Sequence, residues 1–146
     1  MLSTMALATQ KIDVPADLEH SADMRMAAQT FFREAGCDAR WINRLVLVAD
    51  ELFMNAVKYG SHTGDMIEVE LNQDDEGAVH FAITDGCASD ISPNELRAKI
   101  EHHRENHAPE STSGRGLAII TESWTDGYEI EKLPNGKLKI SFIKSI

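Results

Sequence analysis

Four short segments with alternating side chains constrain the fold of this chain more than any other feature. Apolar and polar residues alternate in each with a period of two, and turn residues join the segments in two pairs. The pairs are residues 67–71 with 79–83 and residues 128–131 with 138–142. Such pairs are typical of antiparallel hairpins, because each strand buries every second side chain and the turn brings the strands together. The two turns end in Gly77 and Gly136.

Apolar residues recur at helical spacing in three further segments, which we expect to be helices. The longest follows the capping residue Asp38 and keeps an apolar stripe until Gly60 supplies a stop. The others begin near Ala22 and at Gly116, and a short alternating stretch at residues 10–14 adds a strand. Helices that bracket local hairpins predict an α+β fold, a two-layer α/β sandwich with helices on one face of a mostly antiparallel sheet.

The chain has the length and composition of one globular domain. It holds 146 residues, of which 42% are hydrophobic and 26% charged, close to globular averages. We expect a flexible tail at residues 1–10 and a single domain over residues 11–146. Cys37 and Cys87 form no C-x-x-C pair, and no stretch approaches the ~20 apolar residues that span a bilayer. A soluble, cytoplasmic protein is therefore expected.

The net charge restricts the partners that the surface attracts. The 14 Lys and Arg residues against 24 Asp and Glu residues give a formal charge of −10 at pH 7. Such a surface repels phosphate backbones and anionic lipid, which argues against direct binding of nucleic acid or membranes. A single nucleotide remains compatible, because a triphosphate needs only a local cradle of N–H groups, a metal ion and a few cations.

Three polar side chains interrupt the apolar helix that ends at Gly60. Glu51 and Asn55 lie one turn apart and share a helix face, and Lys58 can reach the same side. An amide oxygen there can ligate Mg²⁺, and the carboxylate can accept a proton from an attacking hydroxyl or position a water. The alternative, a solvated edge of an amphipathic helix, accounts for this segment equally well.

A carboxylate ends the second strand of the first hairpin. Asp85 stands where it could accept a hydrogen bond from the amino group of adenine. Taken alone, Asp85 with Gly86 fits a simple turn better.

Two glycines separated by one residue open the helix at Gly116. Gly114 and Gly116 lack Cβ atoms, so backbone N–H groups can approach phosphate oxygens closely, and a helix start adds partial positive charge. Ser113, Arg115 and Leu117 complete the segment. A structural helix cap explains this segment alone equally well.

The three segments occur in the order of a known set of motifs. Glu-x3-Asn on a helix, Asp after a strand and Gly-x-Gly-Leu opening a helix together resemble the N box and two glycine boxes of the GHKL ATPases, a superfamily that includes histidine kinases and gyrase B. The resemblance spans nearly the whole chain and implies a sandwich of the Bergerat (histidine kinase-like ATPase) type. Three stretches are most similar to anti-sigma factor serine/threonine kinases: residues 14–18, 49–51 and 114–117.

The resemblance implies a role for each matching residue. Glu51 would be the catalytic base or a water-positioning carboxylate, Asn55 the ligand of Mg²⁺, and Asp85 the reader of adenine. The further residues expected to contact ATP or offset its charge are Lys58, Cys87, Ser113, Gly114, Arg115, Gly116 and Leu117.

Cys87 departs from the family pattern, which usually has glycine two residues after the adenine-reading aspartate. Either the Cys87 side chain crowds the base, or Gly86 takes over the flexible role of that glycine.

The resemblance also implies a function. We expect an ATP-dependent serine/threonine kinase of the anti-sigma type, which phosphorylates a small anti-sigma antagonist domain and regulates a sigma factor or similar partner. The alternative is a nucleotide-responsive binding module with little or no kinase activity. A hydrolysing ATPase is a third interpretation, and the resemblance further suggests a homodimer.

Overall fold

The structure is a computed structural model that describes residues 9–62, 64–86, 92–98 and 124–146. Within these ranges the main elements are two long helices and five strands. They are β1 (Gln10–Pro15), α1 (Ser21–Glu34), α2 (Ala39–Tyr59), β2 (Met66–Gln73), β3 (Val79–Asp85), β4 (Gly127–Lys132) and β5 (Leu138–Lys144). A 3-10 turn at Leu18–His20 precedes α1, and residues 93–98 are also helical.

One sheet joins the five described strands in the order β1-β2-β3-β5-β4, and every neighbouring pair is antiparallel. Strands β2 with β3 and β4 with β5 are the two hairpins that the alternation predicts. Gly77 and Gly136 in their turns have φ angles of 90° and 87°, in the left-handed region that favours glycine. The predicted α+β fold with its antiparallel sheet is confirmed.

One face of the sheet is apolar because each strand turns every second side chain inward. These side chains are at most 4% exposed: Ile67, Val69, Leu71, Val79, Phe81, Ile83, Leu138 and Phe142. The Phe81 and Phe142 rings stack with their centres 5.4 Å apart. On the opposite face Glu70 lies 3.5 Å from Lys11 and 3.9 Å from Lys139. Such solvated ion pairs stabilise little, so the apolar face is the one that holds the domain together.

Both long helices contribute large side chains to the core on the apolar face. Phe31 of α1 and Phe53 of α2 are almost fully buried in the same cluster as the inward strand residues. Burial of each such ring stabilises the fold by about 1.5–3 kcal/mol. Asp38 caps α2 as predicted, because its carboxylate accepts a hydrogen bond from the N–H of Trp41 at 3.0 Å.

The contacts at the two ends of α2 mark two ends of the sheet. Near its start, the Trp41 ring lies 4.2 Å from Nζ of Lys144. Directly after it, Gly60 lies against the side chain of Asp85. Lys144 pairs with Val79 at the start of β3, whereas Asp85 is the last residue of β3. Helix α2 therefore runs along the sheet from what we call the Lys144 end to the Asp85 end.

No helix in the described parts of the chain is long and apolar enough to cross a membrane. The helix predicted from Gly116 lies outside the described residues.

Candidate functional site

Helix α2 carries three of the predicted site residues towards the Asp85 end. Glu51 and Asn55 are half-buried, and Lys58 is exposed. At about 1.5 Å per residue, Asn55 lies roughly 7.5 Å and Glu51 roughly 13.5 Å along the helix axis from Gly60. The carboxylate, the amide and the Asp85 contact thus follow one another along α2.

Burial raises the pKa of the Glu51 carboxyl above its ordinary value, and the neighbouring negative charge of Asp50 raises it further. The positive charge of Lys58 acts in the opposite direction but is the weakest of the three influences. Arg25 donates a hydrogen bond to Asp50 at 3.2 Å, which ties that carboxylate to α1. Asp50 is therefore a structural carboxylate, whereas Glu51 is the one whose environment strengthens it as a proton acceptor.

Two buried polar atoms near this end of α2 have no hydrogen-bond partner within the described part of the chain. They are Nδ2 of Asn55 and Oγ of Ser61. An unsatisfied buried polar group costs about 1–3 kcal/mol, so a native structure keeps one where a ligand or another segment completes it. At Asn55 this fits a phosphate group with Mg²⁺, because the nitrogen can donate to a phosphate oxygen while the amide oxygen can ligate the metal.

The register of β3 turns Asp85 towards the helices. Val79, Phe81 and Ile83 point into the core, and Asp85 is the next residue on the same face. Asp85 is only 6% exposed, and its partner across the β3–β5 ladder is the buried Leu138. The strand thus delivers one carboxylate to the inner layer, where an apolar side chain would continue the pattern.

Gly60 makes room for the Asp85 side chain. A Cβ atom built on Gly60 would overlap Oδ2 and Cγ of Asp85 and lie 2.8 Å from Oδ1. Helix α2 ends here as predicted. Gly60 has a φ angle of −104°, outside the left-handed region in which glycine usually ends a helix. The close approach of the carboxylate requires the glycine, a role that the sequence alone does not reveal.

The loop between α2 and β2 brings a second carboxylate beside Gly86. Asp65 accepts a hydrogen bond through Oδ2 from the N–H of His62 at 2.8 Å, and its backbone accepts one from Ala16 at 2.9 Å. A Cβ atom on Gly86 would lie 3.4 Å from this Oδ2, an ordinary contact, and the φ angle of Gly86 is not in the left-handed region. The backbone at Gly86 therefore does not require glycine.

The rest of the predicted site lies outside the described residues. This applies to Cys87, Ser113, Gly114, Arg115, Gly116 and Leu117. Of the residues predicted to contact the nucleotide, the structure thus describes Glu51, Asn55, Lys58 and Asp85.

Two solved structures share the fold. The first, the RsbU and RsbW domains of Rv1364c from Mycobacterium tuberculosis, has a TM-score of 0.61 and 16% identity over 94% of this chain. This chain spans only 32% of that longer one. The second, the SiaB–SiaC complex from Pseudomonas aeruginosa, has a TM-score of 0.64 and 14% identity, and it covers 97% of this chain and 91% of the matched chain. At such identities the likeness concerns the fold.

No curated protein sequence matches this chain closely enough to be called a relative. A family model, however, described as the histidine kinase-like ATPase domain, matches residues 14–144. The match confirms the resemblance that the motifs predict. Because it covers most of the sequence and the described sheet and helices fit it, the chain belongs to the histidine kinase-like ATPase family.

Proposed function

We propose that this protein binds ATP along α2 and transfers its γ-phosphoryl group to a serine or threonine of a small partner protein. Membership in the family implies ATP as the nucleotide. The observation that carries the proposal is the line of side chains leading from Asp85 at the end of the helix to Asn55 and Glu51. ATP has its groups in the same order: the base, then the phosphates, and last the γ-phosphoryl group that is transferred.

Each of the three side chains has one task in this proposal. Asp85 accepts a hydrogen bond from the adenine amino group, and Asn55 holds the phosphates through its buried amide. Glu51 accepts the proton of the attacking hydroxyl, a role that its raised pKa supports. Mg²⁺ bound through Asn55 would offset the charge of the phosphates. Lys58, exposed on the same helix, would help to offset the charge of the phosphates.

The proposed partner is a small domain of the anti-sigma antagonist kind, and its phosphorylation would control a sigma factor or a similar regulator. The motifs at residues 14–18 and 49–51 support this branch of the family. The likeness of fold to RsbW and SiaB supports it as well, and SiaB was solved in complex with a second protein, SiaC.

That complex also favours a second candidate function. This protein would then bind its partner in a nucleotide-dependent way without transferring phosphate. The two functions differ in whether Glu51 is used, because partner binding alone needs no proton acceptor.

Incubation with γ-labelled ATP, Mg²⁺ and candidate antagonist domains separates these functions. The expected result is label on serine or threonine of one partner, and its loss with Glu51→Gln. Glu34→Gln, which changes an exposed carboxylate of α1, is the matched control and should transfer label normally. A stable complex without label would support the binding module, and neither label nor complex would contradict both proposals.

A further inference from the structure

We propose that Gly60 sets the purine specificity of the site, because it leaves the space that the Asp85 carboxylate needs in order to read the base. The inference rests on the proposed nucleotide function and deepens it. Gly60 is a positioning residue here, since it acts through Asp85 and has no side chain of its own to contact a ligand.

If Gly60 gains a side chain, a neighbouring group must move. The Asp85 backbone is held between neighbouring strands, opposite Leu138. Three atoms of the Asp85 carboxyl group are the nearest neighbours of a Cβ on Gly60. These atoms are the terminal atoms of a short side chain, whereas the strand and the helix end are backbone, so we expect the carboxylate to rotate before the strand or helix moves. Gly60→Ala is therefore expected to displace the Asp85 carboxylate while the domain remains folded.

The Asp85 carboxylate can distinguish adenine from guanine. A carboxylate oxygen accepts hydrogen bonds, and adenine presents an amino donor where guanine presents a carbonyl acceptor. The carboxylate also lies at the end of α2, where helix carbonyls carry partial negative charge. This surrounding negative potential favours a donor and opposes a second acceptor. The held carboxylate should thus bind adenine nucleotides and reject guanine nucleotides, and a displaced one should lose that preference.

The test compares dissociation constants for ATP and GTP in wild-type protein, in Gly60→Ala and in Gly127→Ala. Gly127 is the matched control, because among the described residues a Cβ there would meet only Cγ2 of Ile143 at 4.0 Å. Loss of one hydrogen bond to a charged group predicts an ATP affinity about 10- to 100-fold weaker in Gly60→Ala. GTP binding should change little, so the preference for ATP should fall by a similar factor. A merely structural defect would weaken the binding of ATP and of GTP by similar factors, and this result would overturn the proposal.

A second variant covers the case in which Gly60→Ala does not fold. Asp85→Ala removes the overlapping carboxylate, so the double variant Gly60→Ala/Asp85→Ala should melt at the temperature of Asp85→Ala alone. A double variant that is also unfolded would show that the helix end itself requires glycine, against the proposal. If wild-type protein binds no nucleotide, the proposed function fails as well. If it binds ATP and GTP equally well, only this inference fails.

Discussion

The polar groups at the two ends of α2 differ in whether they have hydrogen-bond partners within the described residues. At the Lys144 end, Asp126 accepts hydrogen bonds from the N–H of Ser145 at 2.6 Å and from Nζ of Lys144 at 3.4 Å. Near the Asp85 end, the buried polar atoms of Asn55 and Ser61 have no partner within the described residues. One end is completed by the chain itself, whereas at the other end a ligand or another segment of the chain would complete the hydrogen bonding.

The carboxylates of the two regions show the same contrast in their pKa values. The Ser145 N–H, with weaker help from Lys144, lowers the pKa of Asp126, whereas burial raises the pKa of Glu51. A lowered carboxyl pKa accompanies donors that are already in place, and a raised one accompanies a charge that lacks them. Asp126 is thus the carboxylate that stabilises the fold, and the raised pKa of Glu51 fits its proposed role as a proton acceptor.

The aromatic residues also belong to the completed end. The guanidinium of Arg44 lies 5.0 Å from the centre of the Trp41 ring and 5.8 Å from that of Trp124. Both rings pack against the core while remaining half-exposed beside the cations. Their contacts join the start of α2 to β5 and to the segment that precedes β4.

The largest effect is expected on phosphotransfer when the Glu51 carboxylate is replaced by a neutral amide. Glu51→Gln keeps the size of the side chain and removes the proton acceptor, so phosphotransfer should fall by roughly 10²- to 10⁴-fold. ATP binding should remain largely intact. A single-turnover assay beside a binding measurement separates the two quantities, and unchanged transfer would reduce Glu51 to a helix-surface carboxylate.

The next effect concerns the unsatisfied amide. Asn55→Ala removes both the buried donor and the proposed metal ligand, so Mg²⁺-dependent ATP binding should weaken by about 10- to 100-fold, the range seen when support of a metal site is lost. Asn43→Ala, on the exposed side of the same helix, is the matched control. Calorimetry with and without Mg²⁺ measures the difference. Equal weakening in both conditions would contradict the metal assignment.

The described fold could be predicted because its signals are local. Alternation of period two marks the strands, and Asp38, Gly77 and Gly136 act within their own turns. The position of β5 between β3 and β4 could not be predicted, because strand order depends on contacts between distant segments.

The sequence predicts candidate residues for the site but not their geometry. The alternation through Phe81 and Ile83 already places Asp85 on the inward face, a signal available in the sequence. The role of Gly60 left no such signal, because a glycine at a helix end normally indicates a left-handed cap. Only the packing of α2 on β3 shows that a distant carboxylate occupies the place of its side chain. The raised pKa of Glu51 likewise depends on burial by the folded protein.

A smaller effect should appear in stability, with opposite signs in the two regions. The pKa of Asp126 is lowered in the folded state, so its stabilisation is present above the ordinary value of 3.8 and is lost as pH falls through the lowered value. Asp126→Asn should therefore lower the melting temperature at neutral pH, and the difference should vanish in acid. The shift will be modest because the Asp126 side chain is 40% exposed and screened by solvent.

Glu51→Gln should behave in the reverse way. The folded-state pKa of Glu51 lies above the ordinary value of 4.5, so the folded state gains from protonation below 4.5 and loses this gain as pH rises through the raised value. Removing the charge should raise the melting temperature at neutral pH and leave it unchanged below pH 4.5. Melting curves of both variants across this range check the pair. If both substitutions shifted the melting temperature at neutral pH in the same direction, the contrast between the two regions would be contradicted.

The smallest effect is expected at Gly86, although it adjoins Asp85. Its φ angle is not left-handed, and an added Cβ would meet Oδ2 of Asp65 at 3.4 Å and the backbone oxygen of Gly60 at 3.7 Å. Since neither contact is a clash, Gly86→Ala should change the free energy of unfolding by less than about 1 kcal/mol, with a gain expected from the stiffer unfolded chain. Chemical denaturation measures this change, and Gly60→Ala provides the contrast on the other side of the carboxylate. ATP affinity should also change little. A tenfold loss of affinity at unchanged stability would mean that the base passes close to the backbone at Gly86, which would give this residue the role of the family glycine that Cys87 replaces.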